Sequence, residues 1–260
     1  MGQTFREKAS NKAYQRQIRE QIAADPSKAD VAPRPSGEPH LKSAKVRQTT
    51  RKVAQKIILH YEWLGTLPIC RTYYGIFFDK YYCGGVCCFG SPAGNRVAEQ
   101  LGVDQREMAY LARGACTHWT PKGTGSKLIS YSLKMEKKKG RKIAIAYSDT
   151  DAGEIGTLYQ ATNWICIGKG GRTTQLIHPN GKIYDQKIIH DTKINKCPNL
   201  SWSQLRQKFL AAGWKENRTN PKWRYVYVLA TGKERERIMT YVKPLTVEYP
   251  KRKIDSKGGK

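Results

Sequence analysis

The residues best suited to chemistry lie between Trp119 and Gly168. A turn of small residues opens a helix there, and the amides at such a helix start can bind phosphate groups. The residues of this turn are Gly123, Thr124, Gly125 and Ser126. A short apolar strand then ends on Asp149, and the next helix carries Tyr159. A carboxylate and a phenol can exchange protons with a substrate, so this order predicts a phosphate-binding turn followed by an acid/base wall. The structural alternatives are an ordinary turn, a turn-forming aspartate and a core tyrosine.

Two further groups of residues could contribute to a site. Arg113 lies in a predicted strand of small and apolar residues, Glu107 to Cys116, where an arginine needs either an anionic ligand or a structural carboxylate partner. His60, Tyr61 and Glu62 follow one another at a helix end, where they are either metal ligands or part of a helix cap.

The seven cysteines do not form a recognisable zinc motif. Cys83, Cys87 and Cys88 lie within an apolar aromatic run, and no second pair follows at zinc-finger spacing. Cys116 and His118 also lack a paired partner nearby in sequence. Buried strand cysteines are the simpler interpretation, and an odd number of cysteines in a long chain favours a reducing compartment.

The composition favours a polyanionic partner. Lys and Arg number 47 against 21 Asp and Glu, which gives a formal charge of +26. Nucleic acid is the commonest polyanion for such a chain, and an anionic membrane surface is the competing choice. No run approaches the roughly 18 apolar residues of a membrane-spanning helix, and the N-terminus lacks the apolar segment of a signal peptide. We therefore expect a cytoplasmic protein with no membrane partner.

The elements that must position these residues form an α/β pattern. The predicted order is a helix from 43 to about 61, a hairpin of strands 73–78 and 82–89, a short helix 95–101, strand 107–116, the helix after the glycine turn, strand 143–147, the tyrosine-bearing helix, strand 164–167, a hairpin of 173–177 and 183–189, a helix from 201, and strand 222–229. With 39% apolar residues the chain can bury a core. Residues 1–42 are predicted to be a basic arm and linker, 43–232 the folded domain, and 233–260 a basic tail.

Basic residues outside the central stretch are candidates for contact with phosphates. The lysine run near 138 is either a solvated helix end or part of a polyanion-binding surface. The part of the domain from 169 to 232 mixes Lys, Arg and aromatic residues, as expected of a surface that follows a nucleic-acid backbone. The DNA-binding candidates are Lys137, Lys138, Lys139, Arg172, Lys222 and Arg224.

The order hairpin, strand, glycine turn, helix, strand, tyrosine-bearing helix, strand resembles the GNAT acyltransferase fold. In that family the turn carries Arg or Gln, two residues, Gly, one residue and then Gly or Ala, and it binds the pyrophosphate of coenzyme A. Gly123 and Gly125 fit this pattern, but Thr120 stands where Arg or Gln belongs. The resemblance implies a GNAT-like central mixed sheet flanked by helices and an acyl-CoA or another carbon donor, while Thr120 weakens the ordinary acetyl-CoA expectation.

Four segments resemble a more particular family, the Mom proteins of bacteriophages, a divergent GNAT branch. The segments are His60-Tyr61, Ala146-Tyr-Ser-Asp149, Gly156-Thr-Leu-Tyr159-Gln-Ala-Thr-Asn-Trp164 and Trp223-Arg-Tyr225-Val-Tyr. The resemblance covers roughly residues 43–230, so both predicted terminal extensions lie outside it. Members of this family convert adenine in phage DNA to an N6-carbamoylmethyl derivative, which protects the DNA from restriction.

The Mom resemblance also implies roles for individual residues. The catalytic positions that it assigns are Arg113, Ser126, Asp149 and Tyr159. The family is reported to need iron, which makes His60, Tyr61 and Asp149 the candidate Fe(II) ligands.

Together these implications predict a phage enzyme that acts on double-stranded DNA in the host cytoplasm. The adenine is expected to flip into the cleft between the strands that end at Cys116 and Asp149. Exposed sheet edges suggest a homodimer. Two other functions stay open: a conventional GNAT acyltransferase acting on a nucleic acid, polyamine or protein amine, and a non-catalytic DNA-binding protein on a GNAT scaffold.

Overall fold

The structure is a computed structural model that describes residues 20–22, 24–25, 33–62, 66–91, 95–181, 183–186, 189 and 199–252. Most of the predicted arm before residue 33 and the last eight residues of the predicted tail therefore lie outside the described residues. None of the described helices has both the length and the apolar character needed to cross a membrane.

A seven-stranded mixed sheet forms the centre of the molecule. Its strands are β1 (Lys45–Gln48), β2 (Thr72–Phe78), β3 (Tyr82–Gly90), β4 (Met108–Cys116), β5 (Ile143–Ser148), β6 (Ile165–Lys169) and β10 (Trp223–Val228). They are arranged in the order β1-β2-β3-β4-β5-β10-β6, in which only the β4–β5 pair of the described strands is parallel. A second, antiparallel sheet has the order β8-β7-β9, from β7 (Thr174–Ile177), β8 (Ile183–Asp185) and β9 (Lys215–Arg218).

Helices cover both faces of the central sheet. The α-helices are α1 (Arg51–Tyr61), α2 (Arg96–Gln100), α3 (Thr124–Lys138), α4 (Thr157–Gln160), α5 (Trp202–Ala211) and α6 (Gly232–Val242). Because side chains alternate along a strand, Cys87 packs in the cluster under α3 while its neighbours Val86 and Cys88 pack under α1. α2 and α6 share the α1 face, where Ile238 and Val242 are fully buried. The predicted fold class, an α/β protein with a central mixed sheet flanked by helices, is confirmed.

The start of the folded domain differs from the sequence prediction. Residues 45–48, predicted as the beginning of a helix, form the edge strand β1, which pairs with β2 and buries Val46. The helix begins only at Arg51, where the side chain of Thr50 accepts a hydrogen bond from the amide of Val53. The apolar residues that were assigned to one helix therefore belong to two elements, because a short strand can add apolar residues that continue the helical spacing.

The end of the chain also differs from the prediction. Residues 233–260 were assigned to a basic tail, but residues 232–242 form α6, which packs against the central sheet. Only a few apolar residues of α6 reach the core, and charged residues surround them in sequence. Tyr249, beyond α6, donates a hydrogen bond to the carbonyl of Trp164 at 2.7 Å.

The parallel strands β4 and β5 separate before they end. They pair only from Met108 to Leu111 on β4 and from Ile143 to Ala146 on β5. The register of β4 with β3 shifts just beyond Leu111, and such a bulge bends a strand. β4 therefore diverges from β5 and leaves a gap between the two strand ends.

Candidate active site

A cavity of about 370 Å³ occupies the gap between the diverging ends of β4 and β5. Its charged lining residues are Glu62, Arg113, Asp149, Glu154 and Lys222, and its aromatic lining residues are Tyr110, Tyr147 and Tyr159. The sequence-based location of the cleft, between the strands ending near Cys116 and Asp149, coincides with this cavity. Its volume lies within the range of small-ligand pockets.

Arg113 stands on the β4 wall and is held by groups from the segment after α1. Its Nε and Nη2 donate to the backbone carbonyl and the hydroxyl of Thr66, at 2.9 and 3.2 Å. The carboxylate of Glu62 lies 3.6 Å from Nε, and the side chains of Arg113 and Glu62 are only 15% and 14% exposed. Both sequence alternatives for Arg113 thus have support, since it forms a structural ion pair and also lines the cavity.

Asp149 directly follows β5 and forms an ion pair at the cavity wall. Its Oδ2 lies 2.6 Å from Nζ of Lys222, and its Oδ1 accepts a hydrogen bond from the amide of Asp151 at 3.0 Å. Asp149 therefore serves as a turn-forming residue and also presents a carboxylate to the cavity. Lys222, predicted as a DNA contact, here sets the position of that carboxylate.

Tyr159 reaches the cavity from α4 through a cluster of rings. Its ring centroid lies 5.3 Å from that of Trp164 and 5.2 Å from that of Tyr225. Burial raises the pKa of the Tyr159 hydroxyl, and the nearby carboxylate of Glu154 raises it further. The phenol is therefore neutral at physiological pH and can donate a proton or a hydrogen bond.

The string of residues around Tyr159 fixes the start of α4. Gly156 has φ +75°, and a Cβ at this position would overlap the Tyr225 ring. The Tyr225 hydroxyl donates to the carbonyl of Ile155 at 2.5 Å, and the Gln160 side chain donates to the same carbonyl at 2.9 Å. Gly156 and Gln160 of this string are thus explained by the contacts that fix the start of α4, the helix that carries Tyr159.

The glycine turn lies at the start of α3, as predicted. Gly123 adopts the left-handed conformation (φ +89°), and Gly125 lines the cavity. The first amides of any helix lack intrahelical acceptors, which keeps the anion-binding interpretation of this turn. Thr124 is buried and donates to the carbonyl of Pro121 at 2.7 Å, so its hydroxyl is directed into the protein. Ser126 is on the first turn of α3 but does not line the cavity.

The three residues proposed as iron ligands are not brought together. His60 is exposed on α1, and the buried Tyr61 has its hydroxyl 2.9 Å from Nδ1 of His118. Of the three, only Asp149 lines the cavity, where it contacts Lys222. Within the described residues no cluster of three or more His, Cys, Asp and Glu side chains could hold a metal ion. This geometry does not fit the predicted Fe(II) site.

The predicted DNA-binding residues lie in three places. Lys137, Lys138 and Lys139 are at the far end of α3, about 20 Å from Gly125 at 1.5 Å per residue. Lys139 also donates to the hydroxyl of Tyr74 at 2.9 Å. Arg172 is exposed between β6 and β7, whereas Lys222 lines the cavity and Arg224 lines a second cavity that shares Lys222 with it.

Several lining residues were not singled out from the sequence. Tyr110 and Tyr147, which contact each other edge to face at 5.8 Å, have the pattern of core strand residues. Ser148 is buried in the cavity wall, and its Oγ has no hydrogen-bond partner among the described residues. Glu154 lies in the loop before α4. Tyr147 and Ser148 lie within a segment that resembles the Mom proteins but were given no role, and only nearness in sequence to Asp149 could have marked Glu154.

Comparisons with known proteins give a family match and remote structural matches. The model of the Mom protein family matches residues 43–251, which extends beyond the predicted limit near 230 and includes α6. A comparison with curated proteins found no match in sequence.

Among solved structures, the chain is similar to an N-acetyltransferase from Staphylococcus aureus Mu50, with 12% identity over 72% of this chain and 99% of that chain and a TM-score of 0.39. It is also similar to a Salmonella typhimurium protein described as an acetyltransferase with its cofactor acetyl-CoA, with 10% identity over 74% and 96% of the two chains and a TM-score of 0.42. A GNAT family N-acetyltransferase from Escherichia coli in complex with CoA has 14% identity over 50% and 72% of the two chains and a TM-score of 0.36.

Proposed function

The chain belongs to the Mom protein family, whose model spans most of its length, and we propose that it modifies adenine in phage DNA at N6 to a carbamoylmethyl-type derivative. Family membership indicates a phage DNA-modification protein of the transferase type that acts inside the host. Double-stranded DNA in the host cytoplasm is the proposed substrate, in keeping with the charge of +26. The observation that carries the proposal is one cavity that unites Arg113, Asp149 and Tyr159.

The cavity suits a base that has left the DNA stack. The adenine amine is paired within a duplex, so an enzyme that alters it must extrude the nucleotide into a pocket. Tyr110 and Tyr147 offer aromatic surface on one side of the cavity, and a flipped base is commonly held by such stacking. The buried hydroxyl of Ser148, another residue of the cavity lining, provides a hydrogen-bonding group.

The charged residues supply proton transfer and anion binding. As the lone pair of N6 forms a bond to the donor carbon, the donor's leaving group departs with its electron pair and N6 loses one proton. Asp149 accepts that proton, since its carboxylate is fixed at the cavity wall by Lys222. Tyr159 is neutral and donates a hydrogen bond to the reacting groups, and Arg113 binds an anionic group of the donor or nucleotide.

The test is the mass of adenosine nucleosides from cells that express the protein. DNA digested to nucleosides should contain an adenosine heavier by one carbamoylmethyl group, and the Tyr159→Phe and Asp149→Asn variants should yield almost none. If wild-type DNA contains only ordinary adenosine, the proposal is lost. Equal levels of modified adenosine from wild type and both variants would show that Tyr159 and Asp149 do not have the roles assigned to them.

A conventional acyltransferase is the second candidate, because Gly125 at the start of α3 lines the cavity. Against it, Thr120 is buried and its hydroxyl donates to the carbonyl of Thr117 at 2.8 Å, so this residue cannot replace an arginine at a pyrophosphate. We therefore expect acetyl-CoA to bind weakly in a calorimetric titration. Tight binding, together with acetylation of an amine, would favour this candidate.

A further inference from the structure

A second cavity of about 300 Å³ lies beside the first. It is formed by α2, by the glycine-rich segment after β6 and by the segment that leads into β10. Tyr147 and Lys222 line both cavities, so these two side chains form part of a wall that the two spaces share. A ligand that fills both would extend from the active site along this face.

The second cavity is cationic. Arg96, Lys222 and Arg224 line it, and no carboxylate is among its lining residues. Arg224 is fixed by two hydrogen bonds, from Nη1 to the side chain of Gln100 at 3.0 Å and from Nη2 to the carbonyl of Ile167 at 3.1 Å. Its Nε is buried and has no acceptor among the described residues. A buried donor without an acceptor is unfavourable, and a small shift of the Arg224 side chain towards an anionic oxygen in the cavity would satisfy it.

The backbone of the glycine-rich segment is open towards this space. The amide of Gly170 donates to the carbonyl of Lys222 at 2.8 Å, which ties the segment to the start of β10. The next residue, Gly171, has open space around it, because an added Cβ would meet no atom within 4 Å. A ligand can therefore approach the main chain there, as phosphate groups do at other glycine-rich segments.

The position of the cavity separates it from the predicted donor turn. α2 packs in the cluster on the α1 face of the sheet, whereas α3, which carries the glycine turn, packs on the opposite face. A donor phosphate held at α3 would thus be across the sheet from Arg96. The nucleic-acid strand that delivers the flipped base is the better source of an anion on the α2 face.

We propose that the second cavity binds a phosphodiester group of the DNA strand next to the flipped adenine. This inference rests on the proposed function, and it assigns Arg96 and Arg224 as phosphate ligands with the Gly171 main chain beside them. Arg96 is the cleaner residue to test, because no described hydrogen bond ties its side chain to the fold, in contrast to Arg224.

The experiment combines a change in the protein with a change in the DNA. A labelled duplex with one mispaired adenine, which lowers the cost of flipping, is prepared with natural phosphates or with one neutral methylphosphonate on either side of that adenine. Fluorescence anisotropy of the full chain should show about 10-fold weaker binding of wild type when one of the two phosphates is neutralised. Arg96→Gln should bind natural DNA about 10-fold more weakly than wild type does. Neutralising the same phosphate should then weaken its binding by less than about 2-fold, because the effects of removing two groups that contact each other are not additive.

Control variants protect the interpretation. Lys80→Gln, in the exposed turn between β2 and β3, removes one positive charge outside both cavities and should keep the full methylphosphonate effect. Gly171→Asp should bind more weakly than wild type, because it places a carboxylate at the cavity. Equal methylphosphonate effects in wild type and Arg96→Gln would overturn the proposal. So would a loss of coenzyme A binding in Arg96→Gln with unchanged DNA binding, since the cavity would then serve the donor.

The outcome is separable from that of the proposed function. Coupling between Arg96 and one phosphate is read from binding, so it is detected even if the nucleosides show unmodified adenosine. Modified adenosine without such coupling would overturn only the second cavity.

Discussion

Replacing Gly156 by alanine tests how the start of α4 orients Tyr159. Gly156 has φ +75°, and a Cβ there would overlap the ring of Tyr225, which is fully buried. Gly140, just beyond α3, has a similar φ of +82° but no atom within 4 Å of an added Cβ. The two glycine-to-alanine changes therefore share the backbone strain and differ in the overlap.

The magnitudes follow from these two contributions. The left-handed conformation costs a residue with a Cβ roughly 1–2 kcal/mol, and overpacking a filled core adds typically about 1–3 kcal/mol. We expect Gly140→Ala to lower the free energy of unfolding by about 1–2 kcal/mol and Gly156→Ala by about 2–5 kcal/mol. Because Tyr225 contacts Tyr159, adenine modification by Gly156→Ala should also fall while that by Gly140→Ala should not.

Urea unfolding of wild type and both variants at one pH measures the free energies of unfolding. The midpoints can be compared directly only if the free energy of unfolding depends equally on urea concentration in all three proteins. The same preparations are then assayed for modified adenosine under conditions where each is folded. Equal destabilisation by the two substitutions would refute the reasoning, because it would mean that Tyr225 moves away at no cost. If Gly156→Ala is destabilised but fully active, the conformation at Gly156 does not set the orientation of Tyr159.

Three other predictions concern the active site and the chain end. Tyr159→Phe should keep the unfolding midpoint near that of wild type, while adenine modification falls by about 10²-fold or more. Because the pKa of the wild-type phenol is raised, modification by wild type should not decline as the pH rises towards the ordinary phenol pKa near 10. A pH–rate profile of wild type checks this. Asp149→Asn should change the free energy of unfolding by no more than about 1 kcal/mol, because the ion pair with Lys222 is partly exposed, yet remove most of the modification; a large loss of stability by denaturation would contradict this assignment. A chain that ends at Thr231 should fail to fold, as judged by circular dichroism, because it exposes the surface covered by α6, whereas a chain that ends at Arg252 keeps every described contact and should melt like the full chain.

Much of the cleft could be predicted because its information is local in sequence. An apolar strand that ends on Asp149 and a small-residue turn before α3 are short patterns, and parallel strand ends are where α/β folds place their sites. The hairpin of β2 and β3 was equally readable, although its connection has three residues, Asp79, Lys80 and Tyr81, of which the first two have positive φ values. These parts of the structure agree with the prediction.

The remaining features depend on contacts between distant segments. The pairing of Lys222 with Asp149 and the anchoring of Arg113 at Thr66 are not encoded by any local spacing. α6 escaped prediction because charged residues outnumber the few apolar side chains that it buries. The predicted iron site combined the neighbouring His60 and Tyr61 at a helix end with the Mom resemblance, but the orientation of α1 exposes His60 while it buries Tyr61.

The insertion between β6 and β10 has a consequence for how the chain folds. β6 and β10 are neighbours in the sheet, yet residues 170–222 lie between them, so their pairing must close a long loop. The insertion has its own core of Leu176, Leu205 and Phe209, and its ends meet where Thr219 donates its amide to the carbonyl of Thr173 at 3.0 Å. If this unit folds early, it shortens the effective loop and lowers the entropic cost of bringing β10 to the sheet. Lys222, which directly precedes β10 and lines the cavity, would then reach Asp149 late in folding.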